Sequence, residues 1–203
     1  MLRTGKLLLA ALTATAIFGV VVSSASANRL SVNESGWRVT WTSLEWRESI
    51  FGIGFRCPVT MEGSFHSATI SKVTGGLIGN TTRVAIGTPS CTGGHMTMLT
   101  ERLPWAISYQ GFTGRLPNIE SLKILLIRPA FKLEIADIVN CLSEPSRINA
   151  IIRGRIEASG SFKPETLSPE REVTRCGELN LVFSGTGTVT KRGSTERFLI
   201  RLI

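Results

Sequence analysis

Hydrophobic and polar positions alternate along most of this chain. In the stretch "GWRVTW", Trp37, Val39 and Trp41 share one parity and the residues between them are polar. A period of two residues is typical of a β-strand that buries one face and exposes the other. The pattern therefore predicts strands as the main element of the fold. The same alternation returns at residues 53–65, 102–109 and 131–135.

Turn-forming residues separate these alternating runs. Glycine, proline and asparagine recur at intervals of roughly 8 to 12 residues, which is typical of short strands joined by tight turns. Gly75-Gly76, Gly79-Asn80 and Pro117-Asn118 are examples. We therefore predict one all-β domain over residues 28–203, either a single antiparallel β-sandwich or a β-barrel. The alternation does not choose between these two architectures.

Three later segments carry predictions of their own. Residues 119–131, "IESLKILLIRPAF", are apolar on both faces and fit either a buried central strand or a helical turn. Residues 158–175, "ASGSFKPETLSPEREVTR", are polar and contain prolines, so we expect a long surface loop. The final 26 residues predict a hairpin that turns at Lys191 to Ser194, with its last strand paired inside the sheet.

The first 27 residues are predicted to be a cleaved signal peptide. Arg3 and Lys6 precede a run of 16 mainly apolar residues from Leu7 to Val22, and Ala25-Ser26-Ala27 then supplies an A-x-A cleavage site. The run is shorter than the roughly 20 residues that span a bilayer as a helix. We therefore expect a secreted or cell-surface protein that is not integral to the membrane after cleavage.

The charge is basic but scattered. The whole chain has a formal net charge of +8, and loss of Arg3 and Lys6 with the signal peptide leaves +6. No run of five or more basic residues occurs, so the sequence does not predict specific nucleic-acid binding. An anionic component of the cell envelope is the partner that this charge would suit.

Four cysteines are expected to form two disulfides. An even number of cysteines in an exported chain indicates crosslinks, because disulfides persist in oxidising compartments. Four cysteines allow three pairings, and the sequence alone does not select one. We predict Cys57 with Cys91 and Cys141 with Cys176, because these pairs keep each bridge within neighbouring strands and loops.

The stretch "PSCTGGHMTM" is the nearest approach to a reactive or metal-binding motif. Cys91 lies four residues before His95, but a cysteine engaged in a disulfide is not a nucleophile. Two ligands are also too few for zinc, which takes three or four from protein. We interpret the stretch as a disulfide-anchored turn that leads into a strand. We predict no catalytic residue, no metal ligand and no cofactor.

The tryptophans are the best candidates for ligand contact. Trp37, Trp41 and Trp46 fall within ten residues, and Trp105 follows later. Aromatic side chains on a β-sheet can stack on sugar rings or bases, and we take Trp46 and Trp105 as candidate ligand-binding residues. The alternative is that the tryptophans point inward and form the core, as the parity of Trp37 and Trp41 with Val39 favours.

Three segments resemble a group of small secreted bacterial proteins that are β-rich and of unknown function. The resemblance covers much of residues 28–135 and fades after Cys141. It implies bacterial export and one compact β domain, and it implies no activity and no site residues. The segments are "LSVNESGWRVTWTSLEW", "RCPVTMEGSFHSATISKVTGGLIG" and "LTERLPWAISYQGFTGRLPNI".

These features together predict an exported, non-enzymatic protein with a structural or binding role. Two alternatives stay open. A secreted hydrolase acting on polysaccharide would need two inward carboxylates roughly 5 to 10 Å apart in an aromatic-lined groove. A carrier of a small apolar ligand would need an enclosed apolar cavity.

Overall fold

The computed structural model describes most of the chain after the predicted signal peptide, which itself lies outside the described residues. The described residues contain strands, turns and one 3-10 turn at Thr100–Arg102, and no α-helix. None of them belongs to a helix that could cross a membrane. The all-β prediction is confirmed. The described ranges are 29–49, 52–87, 90–115, 118–135, 139–145, 147–157, 161–170, 173–176 and 179–203.

The described residues contain sixteen strands, which are numbered in chain order. They are β1 Arg29–Val32, β2 Gly36–Glu48, β3 Gly54–Phe65, β4 Thr69–Ser71, β5 Leu77–Ile86, β6 Gly94–Met98, β7 Trp105–Thr113, β8 Ser121–Ile127, β9 Phe131–Ile135, β10 Val139–Ser143, β11 Arg147–Glu157, β12 Ser161–Pro169, β13 Val173–Cys176, β14 Leu179–Ser184, β15 Gly187–Lys191 and β16 Ile200–Leu202.

Eight of the described strands close into an antiparallel barrel. Each pairs with the next barrel strand along the chain, in the order β2, β3, β5, β7, β8, β11, β12 and β15. β15 then pairs with β2 and closes the ring. Closure leaves the barrel strands without a free edge, so their backbone hydrogen bonds are satisfied inside the wall. The structure therefore selects the barrel over the sandwich.

In β2, the longest strand, a β-bulge changes which alternate residues point into the barrel. Trp37, Val39 and Trp41 are buried, and the pairing with β3 then shifts between Trp41 and Leu44. After the shift Leu44 and Trp46 are the buried positions. A bulge adds one residue to one strand, so the side chains beyond it move to the other parity. All three tryptophans of β2 therefore lie on the inner face.

One end of the barrel carries a cap. Because neighbouring barrel strands are antiparallel, the end of β5, the start of β7, the end of β8 and the start of β11 lie at the same end. The connections there contain β6, β9 and β10, which form a separate three-stranded sheet. We call this sheet the cap. Phe131 and Leu133 of β9 and Met96 of β6 are buried, so the cap shares the barrel core.

The opposite end is covered by the first and last strands of the described residues. β16 pairs with β12 on one side and β1 on the other, and β1 in turn pairs with β4. Phe198 lies just before β16, is buried, and contacts Phe65 edge to face at 5.8 Å between ring centroids. These residues close the second end of the barrel with apolar side chains.

The predicted surface loop at residues 158–175 is wrong. Most of that segment is β12, a barrel strand with Phe162 almost completely buried, and β13 follows it. The prolines misled the prediction, because proline is rare inside a sheet. Here the pairing of β11 with β12 shifts between Arg153 and Gly154, so that Pro164 lies at a bulge opposite Gly154. A bulge is one of the few strand positions that accepts proline.

The predicted C-terminal hairpin is also wrong, although its turn is present. The Ser194 backbone N–H donates to the Lys191 carbonyl at 3.3 Å, which closes a turn. The strands on either side do not pair with each other, since β15 pairs with β12 and β2, whereas β16 pairs with β12 and β1.

Residues 119–131, for which the sequence allowed either a buried strand or a helical turn, contain the barrel strand β8.

The outer face carries a charge network centred on Glu62, whose side chain is largely buried. Its carboxylate accepts a hydrogen bond from Arg38 at 2.7 Å and one from Arg83 at 3.4 Å. Burial alone would raise the pKa of Glu62, but the hydrogen bonds and charges of the two arginines outweigh it and hold the pKa below its usual range. The network clamps β2, β3 and β5 together across three strands.

Replacement of Glu62 by glutamine should lower the free energy of unfolding by about 1 to 3 kcal/mol at neutral pH, because the two arginines lose their negatively charged hydrogen-bond acceptor. A lowered native pKa means that this stabilisation is full above the unfolded pKa of about 4.3 and is lost as the pH falls through the native value. Urea denaturation of both proteins between pH 7 and pH 3 measures it. Glu45→Gln, at a more exposed pair with Arg47, is the control and should cost less. An equal loss at all pH values would contradict the assignment.

Candidate ligand-binding cavity

An apolar cavity of about 110 Å³ lies inside the barrel. Every barrel strand contributes to its lining, and Met98 and Phe131 of the cap close it at one end. The lining contains no charged side chain and, apart from the indole nitrogens, no polar side-chain group. A site with such walls can exclude water and bind an apolar molecule, whereas it offers no group for acid–base chemistry.

All four tryptophans line this cavity. Trp37 and Trp41 point inward, as the alternation with Val39 predicted. The candidate ligand residues Trp46 and Trp105 are only 1% and 3% exposed, so they are not available for stacking on the outer surface. A ligand could reach them only from inside the barrel. Their role in binding stays a prediction, and the structure changes where that contact would occur.

Two glycines provide the space in which the indole rings lie. Gly63 is directly opposite Trp37 in the pairing of β2 with β3, and a methyl group on Gly63 would overlap the Cζ2 edge of that indole. A methyl group on Gly187 would come within 2.6 Å of Cε2 of Trp41. A bare glycine therefore lets each large ring lie flat against the wall instead of filling the centre of the barrel.

Trp46 is the centre of an aromatic cluster at the capped end. Its ring stacks on Phe55 with centroids 5.1 Å apart and planes 2° from parallel. Phe131 and Phe183 meet the same ring edge to face, at 6.4 Å and 5.6 Å. Offset stacks and edge-to-face contacts are the preferred aromatic geometries. The cluster therefore connects the barrel wall, the cap and β14 at the capped end of the cavity.

Five buried polar atoms of the barrel interior have no hydrogen-bond partner. They are the indole Nε1 atoms of Trp37, Trp41, Trp46 and Trp105, and Oγ1 of Thr81. A buried indole N–H usually finds an acceptor, and an unsatisfied buried polar group costs about 1 to 3 kcal/mol. Packing alone does not explain why five unpartnered polar groups lie together inside the barrel.

The predicted disulfide between Cys57 and Cys91 is confirmed. It joins barrel strand β3 to the segment that leads into the cap, and Cys57 is fully buried. Beside it, the backbones of Arg56 and Thr92 exchange two hydrogen bonds, and Gly93 then turns the chain at a φ of +84° into β6. The stretch around Cys91 is therefore a disulfide-anchored turn.

The other predicted bridge is described at one end. Cys141 in β10 is also disulfide-bonded. The side chain of its predicted partner, Cys176, lies outside the described part of the molecule. His95 is exposed on β6, so it lies beside the disulfide segment but not in the cavity.

No metal-binding cluster of three or more histidine, cysteine, aspartate or glutamate side chains occurs among the described residues. In the described part of the chain no carboxylate lines the cavity, and candidates for a hydrolase such as Glu45 and Glu62 pair with arginines on the outer face.

The chain matches no known protein family, no curated protein and no solved structure. The geometry of the cavity is thus the basis for a functional proposal.

Proposed function

We propose that this chain is an exported, non-enzymatic binding protein that holds a small uncharged ligand inside its barrel. The observation that carries the proposal is the apolar cavity lined by all eight barrel strands and all four tryptophans. Protein interiors are normally close-packed, with few voids larger than a water molecule. A cavity of this size therefore needs a reason, and ligand binding supplies one.

The size and walls of the cavity limit the ligand. An apolar cavity of about 150 Å³ stays dry and accepts benzene or xenon. The cavity of about 110 Å³ fits xenon, a compact five-membered ring, or one end of a longer molecule. No lining side chain is charged, so an ionised ligand would be buried without a counter-charge. The ligand is therefore uncharged.

Side chains lie across both ends of the barrel, so we expect a ligand to displace part of the protein when it enters. At the capped end, Met98 and Phe131 line the cavity from the cap, which is a separate sheet. The disulfide fixes the β6 side of the cap to the barrel wall. Motion of the cap about this fixed side is the route of entry that the connectivity favours.

Export is the second part of the proposal. Disulfides such as Cys57–Cys91 are typical of proteins in an oxidising compartment. The predicted signal peptide would direct the chain to such a compartment. Secretion or attachment at the cell surface, bacterial origin and an anionic envelope partner stay predictions. The resemblance to secreted bacterial proteins supports export alone and does not bear on the ligand.

Titration with cyclopentane or xenon tests the proposed site. Two-dimensional NMR resolves one indole N–H signal for each tryptophan, and we expect saturable shifts of these signals as the cavity fills. Ala150 lines the cavity, so Ala150→Leu should fill it and weaken binding at least tenfold, about 1.4 kcal/mol. Ala85→Leu on the outer face is the matched control and should bind normally. Absence of saturable shifts in the native protein would overturn the proposal.

A further inference from the structure

Four residues on neighbouring strands form a row around the barrel wall, from Trp37 to Trp105. Trp37 in β2 is directly opposite Gly63 in β3, Gly63 is opposite Thr81 in β5, and Thr81 is opposite Trp105 in β7. Residues directly opposite each other in a sheet point to the same face. Since Trp37 and Trp105 line the cavity, the side chain of Thr81 also points inward.

The indole of Trp37 extends along this row toward Thr81. Its Cε2 and Cζ2 atoms lie over Gly63, and Cε2 is the ring atom bonded to Nε1. The nitrogen-bearing edge of the ring therefore lies over the glycine that pairs with Thr81. Thr81 therefore has Gly63, covered by the Trp37 ring, opposite it on one side of the row and Trp105 opposite it on the other side.

Three of the five unpartnered polar atoms belong to this row. They are Nε1 of Trp37, Oγ1 of Thr81 and Nε1 of Trp105. Thr81 is completely buried, and valine has nearly the same shape without a hydroxyl to desolvate. A threonine at this position therefore weakens the fold unless its hydroxyl has a use. All three groups can donate a hydrogen bond, and one acceptor oxygen with two lone pairs would satisfy the Thr81 hydroxyl and one of the indole N–H groups together.

We propose that the ligand carries one uncharged hydrogen-bond acceptor, such as an ether or ketone oxygen, that binds at the Trp37–Thr81–Trp105 row. This inference rests on the proposed function and names the chemical class of its ligand. The Thr81 hydroxyl and an indole N–H donate to the acceptor, and the apolar remainder of the ligand fills the cavity. A carboxylate does not suit the row, because the cavity lining holds no cation.

The acceptor reaches the row through a small side-chain movement. The atoms that face the cavity are apolar, so the polar atoms of the row are covered by the side chains around them. A change of the Thr81 rotamer, or a tilt of the Trp37 ring over Gly63, turns a donor toward the cavity. Side chains make such changes without altering the backbone.

Tetrahydrofuran and cyclopentane form a matched pair of probes for this inference. Both are uncharged five-membered rings, and only tetrahydrofuran carries an acceptor. Thr81→Val should weaken tetrahydrofuran binding about tenfold, the equivalent of one hydrogen bond, and leave cyclopentane binding unchanged. Thr81→Ser keeps the hydroxyl and should keep the native affinities. Thr40→Val on the outer face is the control for the same substitution, with no effect on either probe.

NMR titration of the indole N–H signals measures both affinities and reports on the hydrogen bond directly. In the native protein, tetrahydrofuran should move the Trp37 or Trp105 N–H proton downfield, and cyclopentane should not. If both probes bind but Thr81→Val weakens them equally or not at all, the acceptor inference fails while the cavity proposal stands. If neither probe binds to the native protein, both fail. Selective loss of tetrahydrofuran affinity supports the inference.

Discussion

Replacement of Trp46 by alanine is expected to lower the free energy of unfolding by about 3 to 5 kcal/mol. The indole is 1% exposed and contacts Phe55, Phe131 and Phe183 in one cluster. Its removal takes away buried apolar area and leaves a void that joins the existing cavity. Three aromatic partners from three strands cannot all move inward to fill that void. Urea denaturation followed by circular dichroism gives the size of the loss.

Two controls identify the cause of this effect. Trp46→Phe keeps an aromatic ring in the stack and should cost clearly less than Trp46→Ala. Val73→Ala, at a side chain that is 62% exposed, should change the free energy of unfolding by no more than about 0.5 kcal/mol. A loss below about 1 kcal/mol for Trp46→Ala would contradict the central place of this cluster in the core.

Removal of the Cys57–Cys91 bridge is the second large effect. The double variant Cys57→Ser, Cys91→Ser should lower the free energy of unfolding by about 2 to 5 kcal/mol. The bridge closes a loop of sequence separation 34, so it restricts the unfolded chain, and it also anchors the cap to β3 in the native state. The double variant is needed because a single substitution would leave one free buried thiol.

The same variant should exchange cavity ligands faster than the native protein, because one side of the cap is no longer fixed. Chemical reduction is the poorer experiment, since it also breaks the bond at Cys141. Unfolding by urea gives the stability, and NMR line shapes during titration give the exchange rate. Unchanged stability, or slower exchange, would contradict the role assigned to this disulfide.

The sequence was sufficient to predict the class of fold and the inward faces of many strands. Alternation placed Trp37, Trp41 and Cys57 inside, and all three are buried. Spacing along the chain also led to the Cys57–Cys91 pairing. These predictions succeeded because they depend on local periodicity and on nearby crosslinks, which a single strand or pair of strands displays in its own residues.

The errors came from features that depend on pairing between distant strands. Pro164 looked like a loop residue because the bulge that accepts it involves Gly154 on the neighbouring strand. The C-terminal hairpin failed because the last strand pairs with β12 on one side and with β1 on the other, and not with β15. Closure of the barrel by β15 with β2 is likewise a long-range event that no local pattern reveals.

The candidate site was predictable only in part. Tryptophans were recognisable as candidate ligand residues, and Trp46 and Trp105 do line the cavity. The cavity itself was not predictable, because parity gives the direction of a side chain and not the space left between side chains. Thr81 was missed for a related reason: a bulge in the pairing of β3 with β5 sets its inward direction.

A crystal structure of the native protein under xenon pressure would show whether the barrel interior binds an apolar ligand. Xenon binds in dry apolar cavities and is located by its strong scattering. We expect a xenon atom inside the barrel, in contact with side chains among Trp37, Trp41 and Trp105. Ala150→Leu crystals under the same pressure should show that site empty or weakly occupied. Xenon bound only outside the barrel in the native protein would contradict a ligand cavity.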